Sequence, residues 1–364
     1  MALTIKVNGE NLENFQTAKV SKSIENLCGA FSFTSTAKKD SSFPIKVGDL
    51  VQISADDITV LTGYVETLRV NYNDNSHSIN VTGRDLLCDL IDSSVGKTKE
   101  FKGNVSFLNI ARKILDDIGL TNIQIIDESG GIDSFKDTEL TSANVGDGAF
   151  EFLEKFARKR QILLTTNGQG NLVLTRAGNS KSETTLYHEV GGQANNIKSA
   201  NLEITTSNRY NKYSIQSQLN PTNLTDSFNS QDISNQSGSA SDSLIRNTRF
   251  FEMNAEESSD SQTLNERASW ESNIRRARSL NYSAKVQGHS FAEEIWRNNT
   301  QIRVKDDFCN INAILLIKSL EYTYDINSGS ETALTMTYKD AYTLQAEQDQ
   351  RESAREKTGD VFYS

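Results

Sequence analysis

The residues that invite a chemical reading are a Gly96-Lys97-Thr98 triplet, three histidines, three cysteines and an Asp325-Ile-Asn327-Ser-Gly329 run. Gly-Lys-Thr ends the loop in which backbone amides wrap nucleotide phosphates. That loop needs a further glycine five residues upstream, and position 91 is Ile, so the triplet reads as a polar linker. His77, His188 and His289 lie far apart and belong to no ligand motif, which makes each a packing or surface residue rather than a metal ligand. The Asp325 run begins like a calcium loop, but the closing acidic position falls on Met336 and glycine takes the third ligand position, so a hairpin turn explains it better. Cys28, Cys88 and Cys309 are odd in number and widely spaced, as expected of free thiols in a reducing compartment. There is no Gly-x-Ser-x-Gly elbow, and 48 Asp and Glu residues make any one carboxylate pair uninformative. The sequence assigns no catalytic residue, cofactor or metal.

The bulk properties point the same way. A net charge of -10 disfavours tight phosphate binding, which needs clustered Lys and Arg. It would suit the wall of a channel that must not hold a passing polyanion. No window is apolar enough to span a bilayer, and the opening Met-Ala-Leu-Thr-Ile-Lys lacks the basic and apolar regions of an export signal. The expectation is a chain folded in the cytoplasm, and 364 residues allow two to four domains.

The elements are mainly β. Short β-type runs at 3–7, 15–23, 30–35, 50–54, 59–70 and 76–82 are divided by turn residues and predict a first antiparallel barrel over 1–95. Phe107, Leu108, Ala111, Ile114, Leu115 and Ile118 then recur at helical spacing up to Gly119. A second helix carries Ala149, Phe152, Leu153 and Phe156, and Asn167-Gly-Gln-Gly170 joins two further strands, giving a small α/β domain at 96–178. A β-rich segment at 179–260 includes an exposed loop at 222–243 without Lys or Arg. A helix and a second barrel follow at 261–344, and a polar charged tail at 345–364.

A faint duplication links the two β regions. Ile45-Lys-Val-Gly-Asp49 parallels Ile302-Arg-Val-Lys-Asp306. Val60, Leu61, Val65, Ile79, Val81, Arg84 and Asp85 then fall opposite Leu315, Leu316, Leu320, Leu334, Met336, Lys339 and Asp340. The fold class expected is therefore mainly β with an α+β insertion: two related antiparallel, tube-like barrels plus a small α/β domain.

The chain resembles the baseplate hub proteins of Mu-like contractile-tailed phages, the late control or tail hub family. The resembling pieces are Ser23-Ile-Glu25, Phe31-Ser-Phe33, Thr62-Gly63-Tyr64, Val81-Thr-Gly-Arg84-Asp85, Asp89-Leu-Ile-Asp92, Thr165-Thr166-Asn167 with Gly170-Asn-Leu-Val-Leu-Thr-Arg-Ala177, Asn208-Arg209-Tyr210, Ala240-Ser-Asp242, Arg267-Ala-Ser-Trp270-Glu271 and Arg276-Ala-Arg-Ser279. The resemblance implies a non-enzymatic homotrimeric ring with approximate sixfold symmetry in the virion tail, assembled in the bacterial host cytoplasm. The ring would join the tail tube protein to a separate trimeric spike and contact other baseplate proteins. DNA or tape-measure protein would only pass through it, with no membrane insertion. Candidate interface or structural residues are the turn pairs Arg84, Asp85 and Lys339, Asp340, with Tyr64, Val65, Leu320 and Tyr322 on the long strands. The readings set against it are a tail-associated cell-wall hydrolase, with its activity in the α/β domain, and a carbohydrate-binding β-module.

Overall fold

A computed structural model describes residues 3–35, 45–72, 77–137, 140, 142–216, 237–254, 261–291 and 294–342. The chain divides into two units, one holding residues up to 201 together with 283–336, the other 202–282 and the stretch from 337.

The first unit opens with β1 (Leu3–Val7), β2 (Glu10–Asn11), β3 (Phe15–Ser23), β4 (Ala30–Ser35), β5 (Leu50–Ala55), β6 (Ile58–Tyr72) and β7 (His77–Asp85). Alternating residues put Val20, Phe31, Phe33, Val51, Ile53, Ile79 and Val81 into one buried layer, the period-two pattern of a sheet with one face covered. Next come α1 (Cys88–Asp92), α2 (Phe107–Asp117), β8 (Ile125–Asp127), α3 (Ala149–Lys159), β9 (Leu163–Thr166) and β10 (Leu172–Thr175). In this α/β part β10 lies between a parallel β8 and an antiparallel β9, and Phe107, Ile110, Ile114, Phe152, Leu153 and Phe156 form the core. Helix α2 starts where the Ser106 hydroxyl accepts from Asn109 N at 3.3 Å, and ends at Gly119, whose φ is +84°.

The chain continues through β11 (Ser180–His188) and β12 (Ile197–Ile204) into the second unit. That unit has β13 (Lys212–Gln216) between β14 (Ser237–Ser241) and β15 (Phe250–Asn254), packed on α4 (Ser261–Arg278) through Tyr213, Ile215, Leu264 and Ala268. The strands β16 (Leu280–Gln287), β17 (Ser290–Phe291), β18 (Glu294–Ile295), β19 (Thr300–Asp306), β20 (Ile311–Asp325) and β21 (Gly329–Thr337) follow, and a 3-10 turn spans Lys339–Tyr342.

The duplication is plain in the strand order. One half pairs as β3-β4-β7-β6-β5-β1 and the other as β12-β16-β21-β20-β19-β11. The long strands β6 and β20 are each 15 residues, and β7 and β21 are each nine. The five aligned apolar pairs, from Val60 with Leu315 to Val81 with Met336, are all buried. Both halves share one sheet, because β20 pairs antiparallel with β3 from Ser319↔Ser23 to Asp325↔Thr17.

Three sequence expectations are corrected. Ile45 to Asp49 lead into β5 through a turn whereas Ile302 to Asp306 lie within β19, so that stretch does not align equivalent elements. The all-antiparallel expectation fails at β11, which runs parallel to β19. Within the expected loop at 222–243, residues 237–241 form β14. A Cβ on Gly238 would lie 2.0 Å from the Leu264 backbone carbon, so the glycine is what lets a strand approach a helix this closely. Residues 222–236 of that loop and the tail at 345–364 lie outside the described residues.

Candidate functional site

Strand β7 delivers Asp85 to the point where the sheet meets the α/β part. Its carboxylate is buried and fully engaged. Oδ2 accepts from Gly29 N at 2.8 Å and from the Thr166 hydroxyl at 2.8 Å, and Oδ1 accepts from Leu87 N at 3.0 Å. The bond two residues ahead is a local aspartate turn that leads the chain from β7 towards α1. Lys22 on β3 donates Nζ to the carbonyls of Thr166 at 3.1 Å and Val60 at 3.4 Å, so β3, β7 and β9 are tied at one polar node. Burial drives the Asp85 carboxyl above its ordinary range, opposed by the Gly29 and Thr166 hydrogen bonds, and drives the Lys22 ammonium down to about 8. Sequence reasoning missed Lys22 and read Thr166 only as part of a resembling hairpin, since a lysine and a threonine in strands carry no signal of burial.

The neighbouring Arg84 faces outward. It forms a bidentate pair with Glu66, Nε to Oε2 at 3.0 Å and Nη2 to Oε1 at 2.6 Å, and a further ion pair with Asp92. Gly63 and Gly83 explain two of the resembling motifs. A Cβ at Gly63 would sit 1.9 Å from the Arg84 carbonyl oxygen and one at Gly83 2.0 Å from the Tyr64 oxygen, so only glycine allows β6 and β7 to pair this closely. Tyr64 is exposed on β6, whereas Val65, Leu320 and Tyr322 are buried. The Tyr322 hydroxyl donates to the Trp296 carbonyl. Lys339 and Asp340, aligned with Arg84 and Asp85, lie exposed in the 3-10 turn. The repeat thus preserves the apolar register but not the buried carboxylate.

The second unit has its own polar node. Arg209 and Asp242 are both buried and paired, Nε to Oδ2 at 2.9 Å and Nη2 to Oδ2 at 2.6 Å. A cleft of about 380 Å³ beside them is lined by Arg209, Trp270, Glu271, Arg275 and Arg278, among others. Its cations are engaged: Arg275 with Glu271 at 3.2 Å and over the Phe251 ring at 4.3 Å, Arg278 with the Ala341 carbonyl at 3.1 Å. Of these residues, Arg209, Asp242, Trp270, Glu271 and Arg278 come from four pieces of sequence that carried the resemblance, 208–210, 240–242, 267–271 and 276–279.

The motifs with apparent chemistry resolve as architecture. The amides of Gly96 and Lys97, which a phosphate would need, donate to Asp117 Oδ2 at 2.7 and 3.2 Å. Asp325 Oδ1 accepts from Asn327 N at 2.8 Å and Ser328 N at 3.1 Å, closing the β20–β21 hairpin. His289 is buried against Thr332 and the Tyr322 ring, and burial lowers its pKa. All three cysteines are free, and burial pushes Cys88 up to about 12 and Cys309 to about 11, which makes them poor nucleophiles. Among the described residues no three His, Cys, Asp or Glu side chains are grouped to hold a metal ion.

Comparison with known proteins decides what these nodes belong to. The family model for the Mu phage baseplate assembly protein GpP-like N-terminal domain matches residues 2–85. That for the second domain of baseplate hub protein gp44-like chains matches 87–176, and that for the fourth domain of Mu phage baseplate assembly protein GpP matches 260–345. The chain belongs to the Mu-type baseplate hub family. The baseplate hub protein gp44 of Escherichia phage Mu is 21% identical over 353 residues, 96% of this chain and 91% of that one. The 43 kDa tail protein of prophage MuSo2 from Shewanella oneidensis shares the fold with a TM-score of 0.77 at 23% identity, covering 95% of this chain and all of that one. A tail protein from Neisseria meningitidis MC58 does so with a TM-score of 0.74 at 17% identity, over 95% and 98%. An Escherichia coli component of the type VI secretion system, described as similar to T4 tail proteins gp27 and gp5, reaches 0.55 at 10% identity over 94% and 79%. The Asp85 node falls between residues 2–85 and 87–176, the stretches that the first two domain models match, and its hydrogen bond to Thr166 ties the two. The protein is a baseplate hub of a Mu-like phage tail, and so a component of the virion.

Proposed function

We propose that this hub works as a homotrimeric ring whose six halves present approximate sixfold symmetry to the tail tube and true threefold symmetry to a separate trimeric spike. The role is architectural: other baseplate proteins dock on the ring, DNA or tape-measure protein passes through it, and assembly takes place in the host cytoplasm. The observation that carries this reading is the repeated strand order of the two halves. Rings of three and of six subunits cannot both match a face of one symmetry, whereas three copies of a doubled half offer both. The saturated carboxylates Asp85 and Asp242, held by amides, a hydroxyl and a guanidinium, support a structural rather than a catalytic role. Free thiols support assembly in a reducing compartment. Light scattering over a dilution series tests the reading. The expected mass is three times the 40.5 kDa chain, with rings in electron micrographs. A monomer at every concentration, alone and with tube and spike proteins added, sinks it.

A further inference from the structure

Strands β6 and β20 occupy the same place in their halves, and each changes its surroundings partway along. The first part of β20 pairs with β19, up to Gln301↔Leu316, and residues 319–325 then pair with β3. The first part of β6 likewise pairs with β5, up to Leu50↔Tyr64, and the last ladder bonds on that side join Val65 to Gly48 and Asp49. Residues 66–72 continue for seven positions with β7 on one edge and no strand among the described residues on the other. Strand β12 holds in the second half the place that β3 holds in the first. It ends the sheet order, pairing only with β16 among the described residues, and residues 198–201 are exposed.

An open run of strand with unpaired backbone groups is a template for another strand. Val70 and Tyr72 on the open run of β6 are 54% and 79% exposed, more than an unsupported two-stranded ribbon should leave in water. We propose that residues 66–72 of one subunit pair antiparallel with β12, around 197–201, of the next copy of this chain, repeating between subunits the joint that β20 makes with β3 within one. Three such joints alternating with three internal ones close a ring of six halves with no free edge at these positions. The pairing rests on the trimeric reading above and specifies which strands make its interface.

Cysteine trapping tests it in the full chain. Arg69→Cys combined with Ala200→Cys, and the neighbouring combinations of Leu68 or Val70 with Ser199 or Asn201, are oxidised after the solution mass has been measured. The chain with only its own three cysteines and each single variant serve as baselines. At least one combination is expected to move most of the protein into covalent trimer on non-reducing gels, with no such ladder in the baselines and an unchanged circular dichroism spectrum. A trimeric mass with no combination trapped overturns the β6–β12 pairing while leaving the trimer standing. A mass that stays monomeric at every concentration, alone and with tube and spike proteins added, overturns both.

Discussion

The alignment of Asp85 with Asp340 makes a sharp prediction, because the two aspartates share a place in the repeat but not an environment. In Asp85→Ala the amides of Gly29 and Leu87 and the Thr166 hydroxyl lose their acceptor, and Lys22 loses its nearby counter-charge. An unmet buried donor costs about 1–3 kcal/mol, and here three donors lose the same acceptor. These overlap rather than add, so the expected loss is about 3–5 kcal/mol. Asp340→Ala removes an exposed side chain and should stay within about 0.5 kcal/mol. Urea unfolding in a Trp270→Phe background leaves Trp296, buried in the first unit, as the reporter. With a slope of about 3 kcal/mol per M, the Asp85→Ala midpoint falls by more than about 1 M. Equal midpoints for the two variants would refute this reading of the Asp85 node.

The same node gives a pH prediction. The Lys22 pKa, lowered to about 8 from 10.5, means that between those values the unfolded chain holds a proton the folded chain has lost, so stability rises with pH across that window and is flat just below it. Because Lys22 keeps some exposure, the rise is about 1–2 kcal/mol, and Lys22→Met should flatten it in urea titrations at pH 8 and 10. Gly63→Ala forces a Cβ to within 1.9 Å of the Arg84 carbonyl oxygen, and should cost about 3 kcal/mol or abolish folding, as read by circular dichroism and soluble yield. Asp242→Ala strands the Arg209 guanidinium in the second unit and should cost about 3–5 kcal/mol there, seen through Trp270 fluorescence with Trp296→Phe as background. Arg84→Ala, which removes only half-exposed ion pairs, should cost about 1 kcal/mol or less in the same melts.

Much of the fold was legible in the sequence because half-buried strands and amphipathic helices write their period into the side chains. The β-runs at 3–7, 15–23 and 30–35 coincide with β1, β3 and β4, and the helical stripe from Phe107 matches α2. The elements that escaped show no such apolar period. Strand β12 has one buried residue, Ile197, followed by polar or exposed positions, and does not alternate; β14, Ser-Gly-Ser-Ala-Ser, does alternate in burial, but its inward residues Gly238 and Ala240 are too small to register as an apolar pattern. The repeat could be found from its apolar pairs but misled at Asp85 and Asp340, where one carboxylate replaces the partners of buried amides and the other meets water. Lys22 was invisible for a related reason: its ammonium is held by two main-chain carbonyls, which no side-chain pattern announces.

The residues that carried the family resemblance turn out to serve folding. Gly63 and Gly83 permit a close strand pair, Asp85 ties β7 to β9, and Arg209 with Asp242 closes the second unit. The strands proposed to join subunits, residues 66–72 and β12, by contrast carry none of the resembling pieces. That division follows from the physics of strand pairing. A core glycine or a buried aspartate has one acceptable identity, whereas a strand that pairs through its backbone asks its side chains only to avoid clashing and unsatisfied burial. On the proposed pairing, the capacity to assemble is set by where β5 stops short along β6 and by which strand is left at the end of the sheet. Mutations of single side chains on these strands should therefore weaken assembly far less than a proline that removes a backbone donor there.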